Sequence, residues 1–166
     1  MKFTIRDAVP QDAAGIGMVH YKSWIETYTG KISSSYLSKC SPERSKEIFA
    51  RSRCKDMLVA IAGGDITGFC GYGKSRDLDK DSGFGEIKGI YVLGAYQRQG
   101  IGKALLETAL FKLQKLGFQY ASLWVLDTNK AAIDFCKHAV FLFDGTVKKE
   151  FLDGPVQEMR FVKPLR

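Results

Sequence analysis

The sequence predicts an α/β fold in which a central sheet of about seven strands is flanked by about four helices. Three observations support this prediction. The 166 residues are 45% hydrophobic and 26% charged, which is typical of a globular domain with its own core. Short segments with a period of two alternate with longer segments at helical spacing. No internal repeat or linker-like segment interrupts the chain, so we expect one domain over residues 1–166.

The first third of the chain predicts a strand followed by helices. Phe3 to Asp7 alternates apolar and polar residues, as a half-buried strand does. Pro10 suits a helix start and Thr29-Gly30 a helix end. Between them the apolar positions recur at helical spacing, at Ala13, Ile16, Val19 and Trp24. A second helical stretch, interrupted near Pro42, runs from Ser33 to about Arg53.

The middle of the chain predicts a hairpin, a loop and a further strand. Leu58 to Ala62 and Ile66 to Gly73 flank Gly63-Gly64-Asp65, which is the pattern of a β-hairpin. The polar segment from Asp77 to Gly85 is expected to form a loop. Glu86 to Val92 is mainly apolar and follows that loop, so it is expected to be the next strand.

The last third predicts two helices and three strands. A helix begins near Gly100 and ends at Gly117, and its apolar stripe consists of Ile101, Leu105, Ala109, Leu113 and Leu116. Tyr120 to Leu126 is a strand, after which Asp127-Thr128-Asn129 caps a short helix through His138. Two strands and the turn between them complete the sheet: Phe141 to Val147, Gln157 to Val162, and Asp153-Gly154-Pro155.

The net charge of the chain limits the classes of ligand and partner that it suits. The net charge is +7, from 25 Lys and Arg against 18 Asp and Glu, which suits a polyanionic ligand such as a nucleotide cofactor or nucleic acid. The basic residues are scattered without a run of five, so a solvated basic surface is the alternative. No basic stripe is interleaved with aromatic residues, and we expect no nucleic-acid partner.

Several negative features exclude other classes. No apolar run approaches the roughly 20 residues that span a bilayer, so we expect no membrane partner. Met1 to Asp7 lacks an apolar signal core, which favours a cytoplasmic location. The cysteines show neither CxxC pairs nor spacing to a histidine, so we expect reduced thiols and no metal; they are Cys40, Cys54, Cys70 and Cys136.

The segment from Gln97 to Lys103 is the most informative motif. It places two glycines where a strand gives way to a helix start, whose unpaired N–H groups and positive dipole end can seat a pyrophosphate. A Walker A loop is excluded, because Gln97 stands where it needs glycine and Ala104 where it needs Ser or Thr. A dinucleotide fingerprint is excluded, because Leu105 stands at its third glycine.

The pattern Gln97-x-x-Gly100-x-Gly102, preceded by Ile90-Tyr91-Val92 and followed by Asn129 and Phe135, resembles the GNAT superfamily of acetyl-CoA-dependent N-acetyltransferases. The acceptor loop of that family reads Gln/Arg-x-x-Gly-x-Gly/Ala, and the order of elements matches over nearly the whole chain. The resemblance implies a single-domain GNAT fold with a mixed, mostly antiparallel sheet. It also implies transfer of the acetyl group of acetyl-CoA, as co-substrate, to an amine in a direct ternary complex.

The resemblance also implies which residues hold the cofactor. The pyrophosphate would lie against the loop of Gln97, Arg98, Gln99, Gly100, Ile101, Gly102 and Lys103. The pantetheine arm would pair with the strand residues Ile90, Tyr91 and Val92, and Phe135 completes the set. Gly89 indicates either a β-bulge that frees backbone groups or close packing. Asn129 would bind the pantetheine, cap a helix, or do both.

Two residues are candidates for catalysis. Glu86 lies fourteen residues before Gly100, the offset of the catalytic glutamate in histone-acetylating relatives, and is expected to be the general base, directly or through a water. The alternative is a glutamate paired with Lys88 or a nearby arginine. Cys136 stands where the family places a tyrosine acid, and Val140 where it places glycine. Cys136 is therefore either the acid or a buried residue without a chemical role, and Tyr91, Tyr120 or water could replace it.

The acceptor side is less specific. Trp24 and Tyr28 fit a Trp-x-x-x-Tyr-x-Gly-x-Ile arrangement found in bacterial members, and we expect them to border the acceptor pocket, although such aromatic residues also build cores. A cationic amine would favour carboxylates, for which the candidates are Glu26, Asp77, Asp79 and Asp81. We expect the acceptor to be a primary amine of a small molecule or peptide. The sequence does not distinguish between a polyamine, an aminoglycoside, an amino acid and a protein N-terminus.

Three further questions stay open. The first is whether the chain is instead a catalytically weak acyl-CoA-binding or regulatory module, which the cysteine at position 136 suggests. The second is whether the chain is a nucleic-acid-binding protein, which its charge alone suggests. The third is the oligomeric state, for which a homodimer is a common arrangement.

Overall fold

The computed structural model describes residues 2–165 and shows one seven-stranded sheet with helices on both faces. The strands are β1 (Thr4–Asp7), β2 (Met57–Ala62), β3 (Asp65–Lys74), β4 (Phe84–Val92), β5 (Tyr120–Leu126), β6 (Leu142–Phe151) and β7 (Pro155–Pro164). Their order is β1-β2-β3-β4-β5-β7-β6. In this part of the chain β4 and β5 run parallel and the other neighbouring pairs antiparallel, which confirms the predicted mixed sheet.

Among residues 2–165, five α-helices connect the strands, where the sequence predicts about four. They are α1 (Ala13–Tyr28), α2 (Ser34–Leu37), α3 (Pro42–Ser52), α4 (Ile101–Lys115) and α5 (Lys130–His138). The predicted second helical stretch is two helices, because the Ser41 side chain accepts a hydrogen bond from the Arg44 amide at 3.1 Å and starts α3 anew. Within residues 2–165 no helix is long and apolar enough to cross a lipid bilayer.

The helices bury two separate hydrophobic clusters, one on each face of the sheet. On one face α4 and α5 pack against the strands through Leu105, Leu113 and Cys136. On the other face α1 packs through Ile16 and Val19, and Phe49 of α3 closes that cluster. Both faces of the central strands are therefore buried, which explains why those strands read as nearly continuous apolar segments.

The C-terminal hairpin is longer than the sequence predicts. β6 reaches Phe151 rather than Val147, and β7 runs from Pro155 to Pro164. The extension contains Lys148, Lys149 and Glu150, whose polar side chains hide a strand from a search for apolar alternation. They are tolerated because β6 is an edge strand that is largely exposed.

A β-bulge in β4 sets which side chains face which side of the sheet. Gly71 pairs with Gly89 and Tyr72 with Ile87, so Lys88 is an extra residue. The bulge keeps Ile87 and Ile90 on the α4 face. A Cβ at Gly89 would lie 2.9 Å from the Tyr91 ring. Gly89 therefore both follows a β-bulge and allows close packing.

The end of α5 places a β-branched residue in a left-handed conformation. The Phe141 amide donates to the Cys136 carbonyl at 3.0 Å and the Val140 amide to the Lys137 carbonyl at 2.9 Å, which is a Schellman motif. That motif requires positive φ at Val140, which is +62°, where glycine is the usual residue. The departure from the family pattern at this position therefore has a cost in backbone strain.

The crossing of α1 and α3 generates the first testable prediction. A methyl group at Gly17 would lie 2.6 Å from the Cα and backbone nitrogen of Lys46, so Gly17→Ala must separate the helices. We expect it to lower the free energy of unfolding by about 1–3 kcal/mol in urea titrations. Gly102→Ala is the control, because its methyl group would meet the Phe135 ring at an ordinary 3.7 Å. Wild-type stability of Gly17→Ala would show that the helices do not cross this closely.

The strained helix end generates the second prediction. Val140 is 65% exposed, so Val140→Gly loses little burial while removing the left-handed strain. We expect the variant to be more stable by about 1 kcal/mol in thermal and urea unfolding. Lys137→Gly, an exposed position inside the same helix, should instead be less stable by about 1 kcal/mol. Destabilisation by both substitutions would contradict the assigned conformation of Val140.

Candidate active site

A V-shaped opening divides the sheet between β4 and β5. These strands pair only from Phe84 to Glu86 on β4 and from Tyr120 to Ser122 on β5. Beyond that point β4 pairs only with β3, and β5 only with β7, within the described residues. The facing edges therefore present backbone N–H and C=O groups without ladder partners, which an extended ligand can satisfy. Glu86 and Ser122 mark the vertex of this opening.

The glycine-containing loop lies at the wide end of the opening, where β4 leads to α4. Gly100 has φ of +88° and caps α4 without a side-chain hydrogen bond. The Gln97 side chain donates to the Val92 carbonyl at 3.0 Å and the Gln99 side chain to the Ala95 carbonyl at 3.0 Å, which holds the loop against the strand end. The first amides of α4 have no carbonyl partner within the helix, which is the feature from which the sequence predicts an anion site here.

Helix α5 closes the opposite side of this end. The ring of Phe135 lies beside Gly102 and thereby joins α5 to the start of α4. Asn129 is 9% exposed, and its side-chain oxygen accepts from the Ala132 amide at 3.3 Å. The structure thus shows the capping role of Asn129.

Glu86 is held by a single partner at the vertex. Its side chain is 2% exposed. Arg76 donates to Oε1 from Nη2 at 2.5 Å and from Nε at 3.2 Å, and to Oε2 from Nε at 3.1 Å and from its backbone N–H at 3.0 Å. Burial raises the pKa of Glu86, but these bonds from Arg76 outweigh it, and the net effect lowers the pKa. Glu86 is therefore ionised at neutral pH.

Cys136 lies in the hydrophobic cluster beneath α5. It is 3% exposed, and burial raises the pKa of its thiol to about 12. A thiol in such an environment is a weak proton donor toward a thiolate whose conjugate acid has a pKa near 8.5. The geometry favours the alternative in which Cys136 packs the core.

An aromatic cluster borders the same face of the sheet as Glu86. The Trp24 indole N–H donates to the Tyr91 hydroxyl at 3.2 Å, and the rings of Trp24 and Tyr28 are 4.6 Å apart. Burial raises the pKa of Tyr91, so its hydroxyl stays protonated. His20 packs against Tyr91, and burial lowers its pKa to about 4. Tyr120 instead stacks on Phe84 at the closed end of the strands, with centroids 4.8 Å apart.

The polar loop before β4 is fixed to the sheet by Arg160 of β7. Arg160 is 2% exposed and donates to both oxygens of Asp79 at 2.7 Å, to Asp77 at 3.3 Å and to Asp144 at 2.8 Å. Its remaining bond reaches the Thr146 hydroxyl at 2.8 Å. The loop is therefore an ordered segment that carries Arg76 to Glu86.

These contacts correct one expectation about the acceptor. The carboxylates of Asp77 and Asp79 are bound by Arg160, so the interpretation of them as free sites for a cationic amine is wrong. Asp81 accepts the Gly83 amide at 2.8 Å in a local turn. Glu26 accepts the Gly94 amide at 3.0 Å and thereby ties α1 to the end of β4.

Beside Glu86 lies a cleft of about 250 Å³ that the sequence did not predict. Its lining is Arg76, Asp77, Glu86, Trp124 and Lys148. The Trp124 indole N–H donates to Asp77 at 3.1 Å, and Lys148 Nζ lies 4.6 Å from the centre of the Trp124 ring. These residues come from four separate segments, so no local pattern marks them.

Comparison with known proteins identifies relatives of this arrangement. A model of the acetyltransferase (GNAT) family matches residues 21–140. The uncharacterized N-acetyltransferase YuaI of Bacillus subtilis strain 168 is 32% identical over 131 residues, which are 78% of this chain and 75% of that protein. The family match covers the glycine-containing loop, the vertex and α5.

Two solved structures share the fold. The PaiA N-acetyltransferase of Thermoplasma acidophilum, in complex with coenzyme A, has a TM-score of 0.77 at 24% identity, covering 96% of this chain and 98% of that one. YncA of Salmonella typhimurium, with its cofactor acetyl-CoA, has a TM-score of 0.75 at 19% identity, covering 100% and 95%.

The Arg160 cluster generates a prediction about stability and pH. Arg160→Met removes the cation that joins the partly buried Asp77 and Asp144, so we expect a loss of about 3–5 kcal/mol in the free energy of unfolding at pH 7. Hydrogen bonding to Arg160 lowers the pKa of Asp79 to about 2 from 3.8. Because the pKa of Asp79 is lower in the folded state, its pair with Arg160 stabilises the fold above about pH 4 and loses this effect as the pH falls toward 2. The difference in the free energy of unfolding between Arg160→Met and wild type should therefore narrow between about pH 4 and 2.

The control for this experiment is Arg51→Met, which removes an exposed arginine from a 3.7 Å surface pair with Glu47. It should change stability by less than about 0.5 kcal/mol. A difference between Arg160→Met and wild type that stays constant down to pH 2 would contradict the role given to the Asp79 pair.

Proposed function

The chain belongs to the acetyltransferase (GNAT) family, a family of acyltransferases, and on this premise we propose that it transfers the acetyl group of acetyl-CoA to a primary amine of a small molecule or peptide. The transfer is direct, in a ternary complex. The observation that carries the proposal is the V-shaped opening, whose unpaired strand edges run from a helix N-terminus to a buried carboxylate. Two proteins of the same fold hold coenzyme A or acetyl-CoA.

The cofactor lies along this opening in the proposed complex. Its pyrophosphate binds the amides between Gln97 and Lys103, where the dipole of α4 favours negative charge. Arg98 and Lys103 are exposed and add charge-assisted contacts. The pantetheine arm pairs with the free edge from Ile90 to Val92, and the Asn129 amide and Phe135 bind it from α5. This path leads the thioester toward Glu86 at the vertex.

Glu86 receives the proton of the attacking amine through a water in this proposal. An alkylammonium ion has a pKa near 10.4, so the nucleophile forms only after a proton is removed. The lowered pKa of Glu86 keeps it in the accepting form at neutral pH. Glu86 is 2% exposed and both of its oxygens are held by Arg76, which favours a small water over the amine itself as the group that contacts the carboxylate.

The leaving thiolate needs no side-chain acid in this scheme. The pKa of a coenzyme A thiol is close to that of a free cysteine, about 8.5, so the thiolate can depart and take its proton from water. Tyr91 lies near the opening, and its hydroxyl stays protonated. Trp24 and Tyr28, which contact Tyr91, form the aromatic border of the acceptor.

Two substitutions test this division of roles. We expect Glu86→Gln to lower kcat by about 100-fold, because it removes the proton acceptor, while the Kd for acetyl-CoA is unchanged. Cys136→Ala should keep kcat within about threefold of wild type, because the thiol packs the core. Thiol release over an amine panel gives kcat, and calorimetry with acetyl-CoA gives Kd.

The same measurements separate enzyme from binding module. Acetyl-CoA binding without thiol release above the rate of hydrolysis for any amine would establish a catalytically weak module. Absence of acetyl-CoA binding would overturn the proposal altogether. A larger loss for Cys136→Ala than for Glu86→Gln would reverse the assignment of catalytic roles.

A further inference from the structure

We infer that the acceptor is an amine with an anionic group, such as a carboxylate, beside its amino group, and that Arg76 and Lys148 bind this group. The inference rests on the proposed function, because it places the acceptor in the cleft next to Glu86. Its basis is the hydrogen bonding of the cleft, in which the carboxylates are already paired and Arg76 keeps an unused donor.

The carboxylates of the cleft are used. Glu86 takes all its hydrogen bonds from Arg76. Asp77 accepts from the Trp124 indole N–H, at 3.1 Å to Oδ1 and 3.2 Å to Oδ2, and from Arg160 at 3.3 Å. An amine with several positive charges, such as a polyamine or an aminoglycoside, requires unpaired carboxylates, and both carboxylates that line this cleft already pair with an arginine.

The cations of the cleft keep free donors. Arg76 is 67% exposed, and its Nη1 donates no hydrogen bond to the described residues. Lys148 Nζ lies 2.8 Å from Glu158, 3.6 Å from Glu150 and 4.6 Å from the centre of the Trp124 ring. Arg76 and Lys148 line the same cleft, so a carboxylate entering it meets the unused donor of Arg76 with the positive charge of Lys148 beside it.

Binding of such an anion also acts on Glu86. The Arg76 side chain makes three of the four contacts that occupy the carboxylate. When the guanidinium turns toward an anion in the cleft, Glu86 keeps only the backbone N–H of Arg76 at 3.0 Å. Lone pairs of Glu86 then become available to the water that takes the amine proton. The anionic group of the acceptor thus both holds the substrate and frees the base.

Matched amine pairs test the inference. L-phenylalanine is compared with 2-phenylethylamine, and L-methionine with 3-(methylthio)propylamine. Rates are compared per unprotonated amine, because the carboxylate also lowers the pKa of the neighbouring amino group. Spermidine is the polycationic arm of the panel. We expect kcat/KM at least about tenfold higher for the amino acid of each pair, which corresponds to one bound carboxylate. Higher rates for the amines without carboxylate, or for spermidine, would overturn the inference.

Variants of Arg76 and Lys148 distinguish binding of the anionic group from a merely structural role. Arg76→Gln should lower kcat/KM for the amino acid at least tenfold. It should also shift the acidic limb of the pH–rate profile for the amine without carboxylate to higher pH, because Arg76 no longer lowers the pKa of Glu86. Lys148→Gln should lower the amino-acid rate without that shift. The controls are Lys74→Gln and Lys149→Gln, both exposed neighbours outside the cleft, and they should leave the ratio within each pair unchanged. An unchanged ratio in Arg76→Gln would overturn the assignment of this residue.

A binding measurement separates this inference from the proposed function. Calorimetry compares N-acetyl-L-phenylalanine with its amide in the presence of coenzyme A. Preferential binding of the acid that Lys148→Gln removes, with no acetylation of any amine, would support the anion site and overturn the proposed function. Acetylation of amines without preference for the acid would support the proposed function and overturn the anion site. Neither binding nor acetylation would overturn both.

Discussion

The buried guanidinium of Arg160 is the interaction on which the acceptor side of the molecule depends. It binds Asp77 and Asp79 from the loop before β4 and Asp144 from β6, two segments that share no strand ladder with each other. Burying a charge costs several kcal/mol, which is offset here because its donors are satisfied by carboxylates and a hydroxyl. Together with the Trp124 indole, which donates to Asp77 at 3.1 Å, it fixes the loop that carries Arg76 to Glu86.

The two sides of the proposed site are built by different means. The cofactor side uses backbone groups, at the free edges of β4 and β5 and at the start of α4. The acceptor side uses side chains of the cleft, at Arg76, Trp124 and Lys148. Backbone groups are the same in every sequence, so a cofactor seat can be shared by relatives of low identity, whereas the side chains of the cleft can differ between them.

This difference explains how much could be predicted from the sequence. The strands, the helices and the glycine-containing loop were predictable, because periodicity and glycine at a helix start act over a few residues. The pairing of Arg160 with Asp77 joins positions 83 residues apart, and Arg76 is one of 25 basic residues without a distinguishing neighbourhood. The loop carboxylates were misassigned because their partner lies on the last strand. The strain at Val140 appeared in the sequence only as a departure from glycine.

The parting of β4 and β5 makes the sheet two half-sheets joined by three residue pairs. One half contains β1 to β4, and the other contains β5, β7 and β6. A ligand that hydrogen-bonds to both free edges occupies the position of a missing strand and couples the halves. Its binding free energy then adds to the cooperativity of unfolding, so resistance of the chain to heat and proteolysis becomes a readout of how much cofactor its surroundings contain.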